Sequence, residues 1–204
     1  MVLLHGGGND HTAWDGVVDS LAQTHRVYAL DQRGYGDSSR PGAYSFELMR
    51  DDLLDFLDAL GLGRVVLIGH SMGGNVAWLF AQDHGDRLTR LVIEDVAPNR
   101  PGDARIDFPP KPDDWDRPFA YEALAAVMAQ LNDPNPAWTT GLARITTPTL
   151  VIAGGDKSHV NQARLAEIVA SLPDARMVTV PVGHGVHYDA PDEFLAAVQE
   201  FLAG

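Results

Sequence analysis

The fold is decided by one stretch of sequence, Arg64-Val65-Val66-Leu67-Ile68-Gly69-His70-Ser71-Met72-Gly73-Gly74. Its first part is a short apolar run rich in β-branched residues, which is typical of a buried strand. Residues 75–81 read Asn-Val-Ala-Trp-Leu-Phe-Ala, which is typical of a buried helix. The stretch therefore predicts a strand that turns sharply into a helix, with Ser71 at the turn. Gly69 and Gly73 remove side chains where strand and helix crowd together.

A serine in such a turn is a candidate nucleophile. The turn strains the serine backbone and exposes its hydroxyl above the sheet. The start of the next helix adds a positive dipole end and free N–H groups beside that hydroxyl. We therefore interpret Ser71 as a catalytic nucleophile; the alternative is a glycine-rich turn that carries an incidental serine.

Strands and helices alternate along most of the chain. Strands are predicted at residues 1–5, 26–31, 64–69, 90–94, 149–153 and 176–180, and helices at 12–23, 45–60, from 72, 161–171 and from 191. Because the strands are apolar on both faces, they predict a parallel sheet that is covered by helices on both sides. Residues 98–144, rich in proline and aspartate with a helix at 119–131, interrupt the alternation. We therefore predict a core of residues 1–97 and 145–204 and a short cap insertion of residues 98–144.

The composition limits the class of protein. At 204 residues the chain is long enough for one domain with a proper core. Its net charge of −13 argues against binding to nucleic acid or to an anionic membrane surface. The absence of cysteine excludes disulfides and thiolate metal sites. No signal peptide or membrane span is visible, so we expect a cytoplasmic location.

A serine hydroxyl needs a base and a group that orients the base. In a parallel sheet such residues gather beyond the carboxyl ends of the strands. His184 follows the last strand between two glycines and is the predicted base, while His187 is interpreted as a neighbouring loop residue. The acid is Asp95, after the fourth strand, or Asp156, after the fifth; either can reach the histidine from the same edge. No histidine pair has convincing metal-ligand spacing, so we expect neither a metal nor a cofactor.

An oxyanion formed on a substrate carbonyl needs N–H donors. The N–H of Met72, directly after the nucleophile, is one candidate. Gly7, in the run His5-Gly6-Gly7-Gly8 after the first strand, is the other, because glycine lets the backbone approach a substrate closely. The alternative for that run is an ordinary glycine-rich turn.

Together these motifs resemble the α/β-hydrolase fold serine hydrolases, and among them small carboxylesterases. The resemblance rests on His5-Gly6-Gly7-Gly8, Asp31-x-Arg33-Gly34-x-Gly36-x-Ser38, Gly69-x-Ser71-x-Gly73-Gly74, Pro148-Thr149-Leu150-Val151-Ile152 and Gly183-His184. Similar esterases carry Asp-x-x-Pro after the strand that follows the nucleophile helix, matched here by Asp95 to Pro98. They also carry Gly-Gly-x-Ser-x-x-Val later in the chain, roughly matched by Gly154 to Val160 with one extra residue. The resemblance therefore favours Asp95 as the acid, with Asp156 as the alternative. It also implies an ester hydrolase that works through an acyl-serine intermediate.

Two departures from the family pattern carry expectations. Family members usually have further strands before the His-Gly segment, so here the sheet should have about six strands, with residues 26–31 at a bare edge. Such an edge invites association, and we expect a homodimer or an added cover there. The cap is short, which predicts an open pocket for small, uncharged acyl esters. Its candidate lining residues are Trp115, Phe119, Met128 and Trp138, which would alternatively be core packing of the cap.

Other functions share this machinery. A lactonase, a thioesterase or a C–C bond hydrolase would use the same residues with a different cap. Dehalogenases and epoxide hydrolases are disfavoured, since they carry an aspartate where this chain has Ser71. The alternatives outside catalysis are a catalytically silent ligand receptor of the fold, or a fragment with a disturbed site.

Overall fold

Six parallel strands form the single sheet of the computed structural model, which describes residues 1–204. The strands are β1 (Val2–Leu4), β2 (Tyr28–Leu30), β3 (Val65–His70), β4 (Leu88–Glu94), β5 (Thr149–Ala153) and β6 (Ala175–Thr179). Their order across the sheet is β2-β1-β3-β4-β5-β6, and every neighbouring pair is parallel. The predicted α/β class and strand number are confirmed.

Eight α-helices accompany the sheet. They are α1 (Asp15–Ala22), α2 (Phe46–Ala59), α3 (Met72–His84), α4 (Tyr121–Asn132), α5 (Ala137–Thr140), α6 (Gln162–Ser171), α7 (Val186–Asp189) and α8 (Pro191–Ala203). None of them is long and apolar enough to cross a membrane. Local sequence fixes two of their starts, because Ser45 and Asn161 accept hydrogen bonds from the first turns of α2 and α6.

The core lies on both faces of the sheet. Successive residues of β1 alternate between two apolar clusters, with Val2 and Leu4 in the larger one and Leu3 in the smaller one. Helices α2, α3 and α6 pack in the larger cluster, whereas α1 and α8 pack in the smaller one. This two-sided burial explains why the strand sequences are apolar throughout rather than alternating.

Strand β2 forms one edge of the sheet, as the sequence predicted. Its three residues are only partly buried, whereas those of β1 and β3 are buried. A cavity of about 530 Å³ lies beside it, lined by residues that include Ala29, Leu30 and Phe56. This edge remains the predicted site of association.

The segment between β4 and β5 contains α4, the short α5 and a 3₁₀ turn at Gly141–Arg144. It is fastened to the loop after β2, since Gly36 N donates to Pro118 O at 2.8 Å and Ala120 N donates to Gly34 O at 2.7 Å. Helix α5 was not predicted, because its four residues are too short for a helical pattern. Helix α4 begins two residues later than predicted, because Phe119 is held in a bridge to Tyr35.

The first predicted helix is also divided. Residues His11–Trp14 form a 3₁₀ turn that Asp10 caps, and α1 starts only at Asp15. In α2 the core-facing side is formed by Phe46, Met49, Leu53 and Leu57.

Candidate active site

Ser71 lies in a sharp turn between β3 and α3, where its backbone has φ 52° and ψ −114°. Ser71 and Asp95 are the two residues other than glycine that have positive φ. Such a conformation is unfavourable for an L-residue and persists only where the surrounding structure enforces it. Both strained positions follow neighbouring strands at the same edge of the sheet.

Close packing around the turn requires two of its glycines. A Cβ on Gly69 would lie 2.5 Å from the carbonyl oxygen of Gly73, and a Cβ on Gly73 would overlap the carbonyl of Leu4. Gly73 N donates to His5 O at 3.1 Å, which ties the turn to the loop after β1. The turn is therefore fixed from both sides, as the spacing of Gly69 and Gly73 predicted.

Asp95 is the carboxylate that contacts His184. His184 Nδ1 donates to Asp95 Oδ2 at 2.8 Å, and the side chain of Asp95 is fully buried. Asp156, the other predicted candidate, is exposed in the 3₁₀ turn Gly155–Lys157 and makes no hydrogen bond to His184. The structure therefore places Asp95, and not Asp156, in contact with the histidine.

Three further donors converge on Asp95. Ser158 Oγ donates to Oδ2 at 2.5 Å, and Gly154 N and Gln162 Nε2 donate to Oδ1 at 2.8 and 3.1 Å. Burial by itself would raise the pKa of Asp95, but the bonds from His184 and from these donors outweigh burial and lower it. The carboxylate is therefore ionised and held in one orientation.

Ser158 and Gln162 were missed as supporting residues. Ser158 had a sequence signal, since it belongs to the segment Gly154 to Val160 that roughly matches a Gly-Gly-x-Ser motif of similar esterases. Gln162 had none, because a glutamine in the first turn of a helix is usually exposed. The loop that carries Asp156 therefore supports the acid on the neighbouring strand without supplying the acid itself.

His187 is not the loop residue that the sequence suggested. It lies in α7 with 2% of its surface exposed, and its Nδ1 bonds Glu94 Oε2 at 2.7 Å. Its ring stacks on Trp14, with centroids 4.2 Å apart. The adjacent carboxylates of Glu94 and Asp95 thus each form a hydrogen bond with one histidine, Glu94 with His187 and Asp95 with His184.

Burial alone would raise the pKa of Glu94, but His70 and the bonds from His187 lower it below its usual range. His70 is also buried, and burial lowers its pKa to about 4. Its Nε2 donates to the backbone oxygen of His184 at 2.9 Å, which anchors the loop that carries the predicted base. His70, Glu94 and His187 therefore form a buried cluster directly behind that loop.

The ligand atoms of this cluster lie within 4.8 Å of one another, as do those of Asp10, His11 and Asp31. In the buried cluster, the Glu94 carboxylate accepts hydrogen bonds from His187, and His70 Nε2 donates to the backbone oxygen of His184. In the second cluster, Asp31 accepts bonds from His11 and from Asp37 N. Hydrogen bonds thus account for the second arrangement, whereas in the buried cluster His70 Nδ1 and His187 Nε2 have no hydrogen-bond partner.

A cavity of about 690 Å³ joins the candidate groups. Ser71, His184, Gly7 and Met72 all line it. Helix α3 begins at Met72, so the N–H of that residue is among those without an acceptor inside the helix. The two predicted oxyanion donors and the predicted nucleophile and base therefore share one space.

Of the four predicted pocket residues, only Met128 lines this cavity. Trp115, Phe119 and Trp138 do not line it and pack within the insertion or against the core, which is the alternative that the sequence left open for them. Phe119 stacks on Tyr35 with centroids 5.4 Å apart, and Trp115 Nε1 donates to Phe119 O. Trp138 is buried against Phe46 and donates to Glu47 Oε1 at 2.9 Å. Phe119 and Trp138 thus pack the short insertion against the core.

The fold and this arrangement define an α/β hydrolase. The family model of the α/β hydrolase fold matches residues 1–139, and the chain belongs to that family. This confirms the resemblance drawn from the motifs.

Several known hydrolases are similar over the whole chain. It is 30% identical over 247 residues to the mouse sn-1-specific diacylglycerol lipase ABHD11, covering 100% of this chain and 80% of that protein. It is 26% identical to Esterase YbfF of Escherichia coli strain K12, covering 99% of this chain and 92% of that one. A solved structure of a thermophilic esterase from Thermogutta terrifontis superposes with a TM-score of 0.83 at 26% identity, covering 99% and 88% of the two chains. These relatives support a hydrolase.

Proposed function

We propose that the protein is a serine carboxylesterase that hydrolyses small, short-acyl esters through an acyl-serine intermediate. The observation that carries the proposal is one cavity lined by Ser71 in its strained turn and by His184, which is bonded to the buried Asp95. Serine, imidazole and carboxylate in series are the groups that acyl transfer needs.

In the first half of the reaction, His184 Nε2 takes the proton of Ser71 as Oγ attacks the ester carbonyl carbon. The carbonyl π electrons move to oxygen, and that oxyanion accepts hydrogen bonds from the N–H groups of Gly7 and Met72. Collapse of the intermediate breaks the bond to the alkoxy oxygen, which leaves as the alcohol with the proton from His184. Asp95 keeps Nδ1 protonated throughout, so that Nε2 is free to accept a proton.

In the second half, water attacks the acyl-serine while His184 takes one of its protons. The second tetrahedral intermediate collapses to the free acid, and the proton returns to Ser71 Oγ. No group outside this set is needed for either step, so the proposal includes no cofactor and no metal.

The same residues would also cleave a lactone, a thioester or an activated C–C bond. The proposal favours small esters because the cavity of about 690 Å³ contains a group of apolar side chains, including Val96, Val127 and Leu131. A silent ligand receptor of the fold would leave Ser71 unreactive, and that outcome is included in the test.

The test is hydrolysis of p-nitrophenyl butyrate by wild type and by Ser71→Ala. The substitution should lower kcat by roughly 10⁶-fold, to background, because the nucleophile is lost. The matched control is Ser39→Ala at an exposed serine, which should retain full activity. A fluorophosphonate should label the wild type at Ser71 and leave the Ser71→Ala variant unlabelled. Activity retained by Ser71→Ala, or an unlabelled and inactive wild type, would falsify the proposal.

A further inference from the structure

Ser158 is a hydroxyl side chain that takes no part in the proposed mechanism. It directly follows the 3₁₀ turn Gly155–Lys157, on the loop between β5 and α6. Its Oγ donates to Asp95 Oδ2 at 2.5 Å, and the same oxygen accepts the hydrogen bond from His184 Nδ1 at 2.8 Å. Two donors therefore share one carboxylate oxygen, and one of these donors is the proposed base.

The orientation of the Ser158 hydroxyl is fixed by a second contact. Val160 N donates to Ser158 Oγ at 2.9 Å, so the backbone occupies a lone pair of that oxygen. A hydroxyl carries a single proton, which is left for Asp95 Oδ2. Because the Asp95 side chain is fully buried, the hydroxyl bonds the carboxylate in a site of low dielectric.

The two donors on Asp95 Oδ2 compete with each other. Hydrogen bonds in a buried network polarise one another, with effects of about 10–30% per bond. Each donor on a shared oxygen withdraws charge from it, so here the effect is a mutual weakening. When His184 takes the proton of Ser71 it becomes a cation, and its bond to Oδ2 is then the one that gains most from full negative charge on that oxygen. The hydroxyl of Ser158 therefore opposes protonation of His184.

Other titratable groups surround the imidazole of His184. The ring of His70 packs against it with centroids 4.8 Å apart, and the ring of His159, on the same loop as Ser158, with centroids 4.3 Å apart. Burial lowers the pKa of His70 to about 4, and burial and His184 together lower the pKa of His159 although Asp95 opposes them. Both rings are therefore neutral at neutral pH. The further charged groups of the cavity are joined in two ion pairs, Arg100 with Glu167 and Arg164 with Asp103.

Asp95 is thus the charged group that is hydrogen-bonded to the base, and its Oδ2 is the atom through which it acts. We propose that Ser158 is a positioning residue that weakens the hold of Asp95 on the protonated form of His184 and so keeps the base free toward acidic pH. The alternative is that the hydroxyl only anchors its loop through Val160. This inference rests on the proposed esterase activity and concerns the pH range of the same site.

The experiment measures kcat/KM for p-nitrophenyl butyrate between about pH 5 and pH 9, where its acid limb reports the base of the free enzyme. The acid midpoint is the pH at which kcat/KM is half of its maximum. Ser158→Ala should raise this midpoint by about 0.3–0.5 pH unit, which corresponds to proton binding that is about two to three times tighter.

Ser158→Thr and Ser158→Val form a matched pair, since they have nearly the same shape and only threonine keeps the hydroxyl. The backbone at Ser158, with φ −78° and ψ 147°, is extended and suits β-branched residues. Ser158→Thr should keep the wild-type midpoint, whereas Ser158→Val should shift as Ser158→Ala does. Ser39→Ala, at an exposed serine, is the control and should leave the midpoint unchanged.

An acid midpoint that stays the same or falls in both hydroxyl-free variants would overturn the inference, and so would a threonine variant that shifts as far as the valine variant. If the hydroxyl only anchors the loop, Ser158→Ala and Ser158→Val lose kcat or fail to fold without a raised midpoint, which also overturns it. Failure of the esterase proposal looks different, since wild type would then show no Ser71-dependent hydrolysis at any pH.

Discussion

Replacing Asp95 with asparagine tests the centre of the candidate site. The carboxylate accepts four hydrogen bonds, two on each oxygen, and its side chain is fully buried. Asparagine has nearly the same shape and tolerates the positive φ of 47° at this position. The variant therefore changes charge and hydrogen-bonding capacity while adding little backbone strain.

Both orientations of the new amide are unfavourable. If its NH₂ group faces His184, the imidazole must turn Nδ1 into an acceptor, and Nε2 then carries the proton and no longer serves as a base. If the NH₂ group faces Gly154, two donors meet, because the backbone N–H of Gly154 cannot accept a hydrogen bond. That N–H is then left unpaired, which should lower the free energy of unfolding by about 1–3 kcal/mol. For the first orientation, losses of kcat near 10⁴-fold are known from comparable triads.

The assay is the initial rate of p-nitrophenyl butyrate hydrolysis at neutral pH, together with urea unfolding of each variant. Asp95→Asn should lower kcat by roughly 10³–10⁴-fold with KM little changed. The matched control is Asp156→Asn on the neighbouring loop, which should stay close to wild type in both measurements. The reasoning is refuted if Asp95→Asn keeps more than about a tenth of the wild-type kcat, or if Asp156→Asn falls as far.

Three further predictions concern stability and assembly. Burial lowers the pKa of His70 from 6.5 to about 4. Between pH 6.5 and pH 4 the His70 imidazole is therefore protonated only in the unfolded chain, and the free energy of unfolding falls as the pH falls through this range. In urea unfolding at a series of pH values, His70→Gln should remove up to about 1.4 kcal/mol of that loss per pH unit. The control is His84→Gln at a partly exposed histidine, and the same slope of unfolding free energy against pH in both variants would contradict the prediction. Glu94→Ala should lower the free energy of unfolding by about 3–5 kcal/mol, since it leaves His187 buried and unpaired. The control is Asp58→Ala, which removes the exposed pair with Arg87 and should change the free energy of unfolding by less than about 1 kcal/mol. Equal losses in the two variants would contradict the prediction. Light scattering should show a homodimer associated through the edge at β2, and a monomer at micromolar concentration would contradict that expectation.

Much of the fold was predictable because its signals are local. The apolar run before Gly69 and the buried helix after Ser71 identify a strand, a turn and a helix without any knowledge of the rest of the chain. Alternation of such units predicts a parallel sheet, and a parallel sheet places the residues after its strands at one edge. Ser71, Gly7 and His184 could therefore be placed together before any contact was known.

The short insertion was harder to predict. Its large side chains suggested a pocket, but the three aromatic ones pack within the segment or against the core, as Trp138 does on Phe46 and Glu47. An aromatic side chain that packs and one that binds substrate look alike in sequence, because both are apolar and partly periodic.

By itself, the sequence determined the strand-turn-helix around Ser71, the parallel sheet and the set of residues at its carboxyl edge, because each follows from short-range pattern and steric rules. The motif resemblance favoured Asp95, but only the tertiary structure shows which carboxylate meets His184, since Asp95 and its partners Ser158 and His184 are 63 and 89 residues apart. It also decided that Glu94 and His187 are buried together. The physical reason is that these contacts join elements that are distant in the chain and meet only when they pack in three dimensions. The local sequence around each residue does not determine that packing.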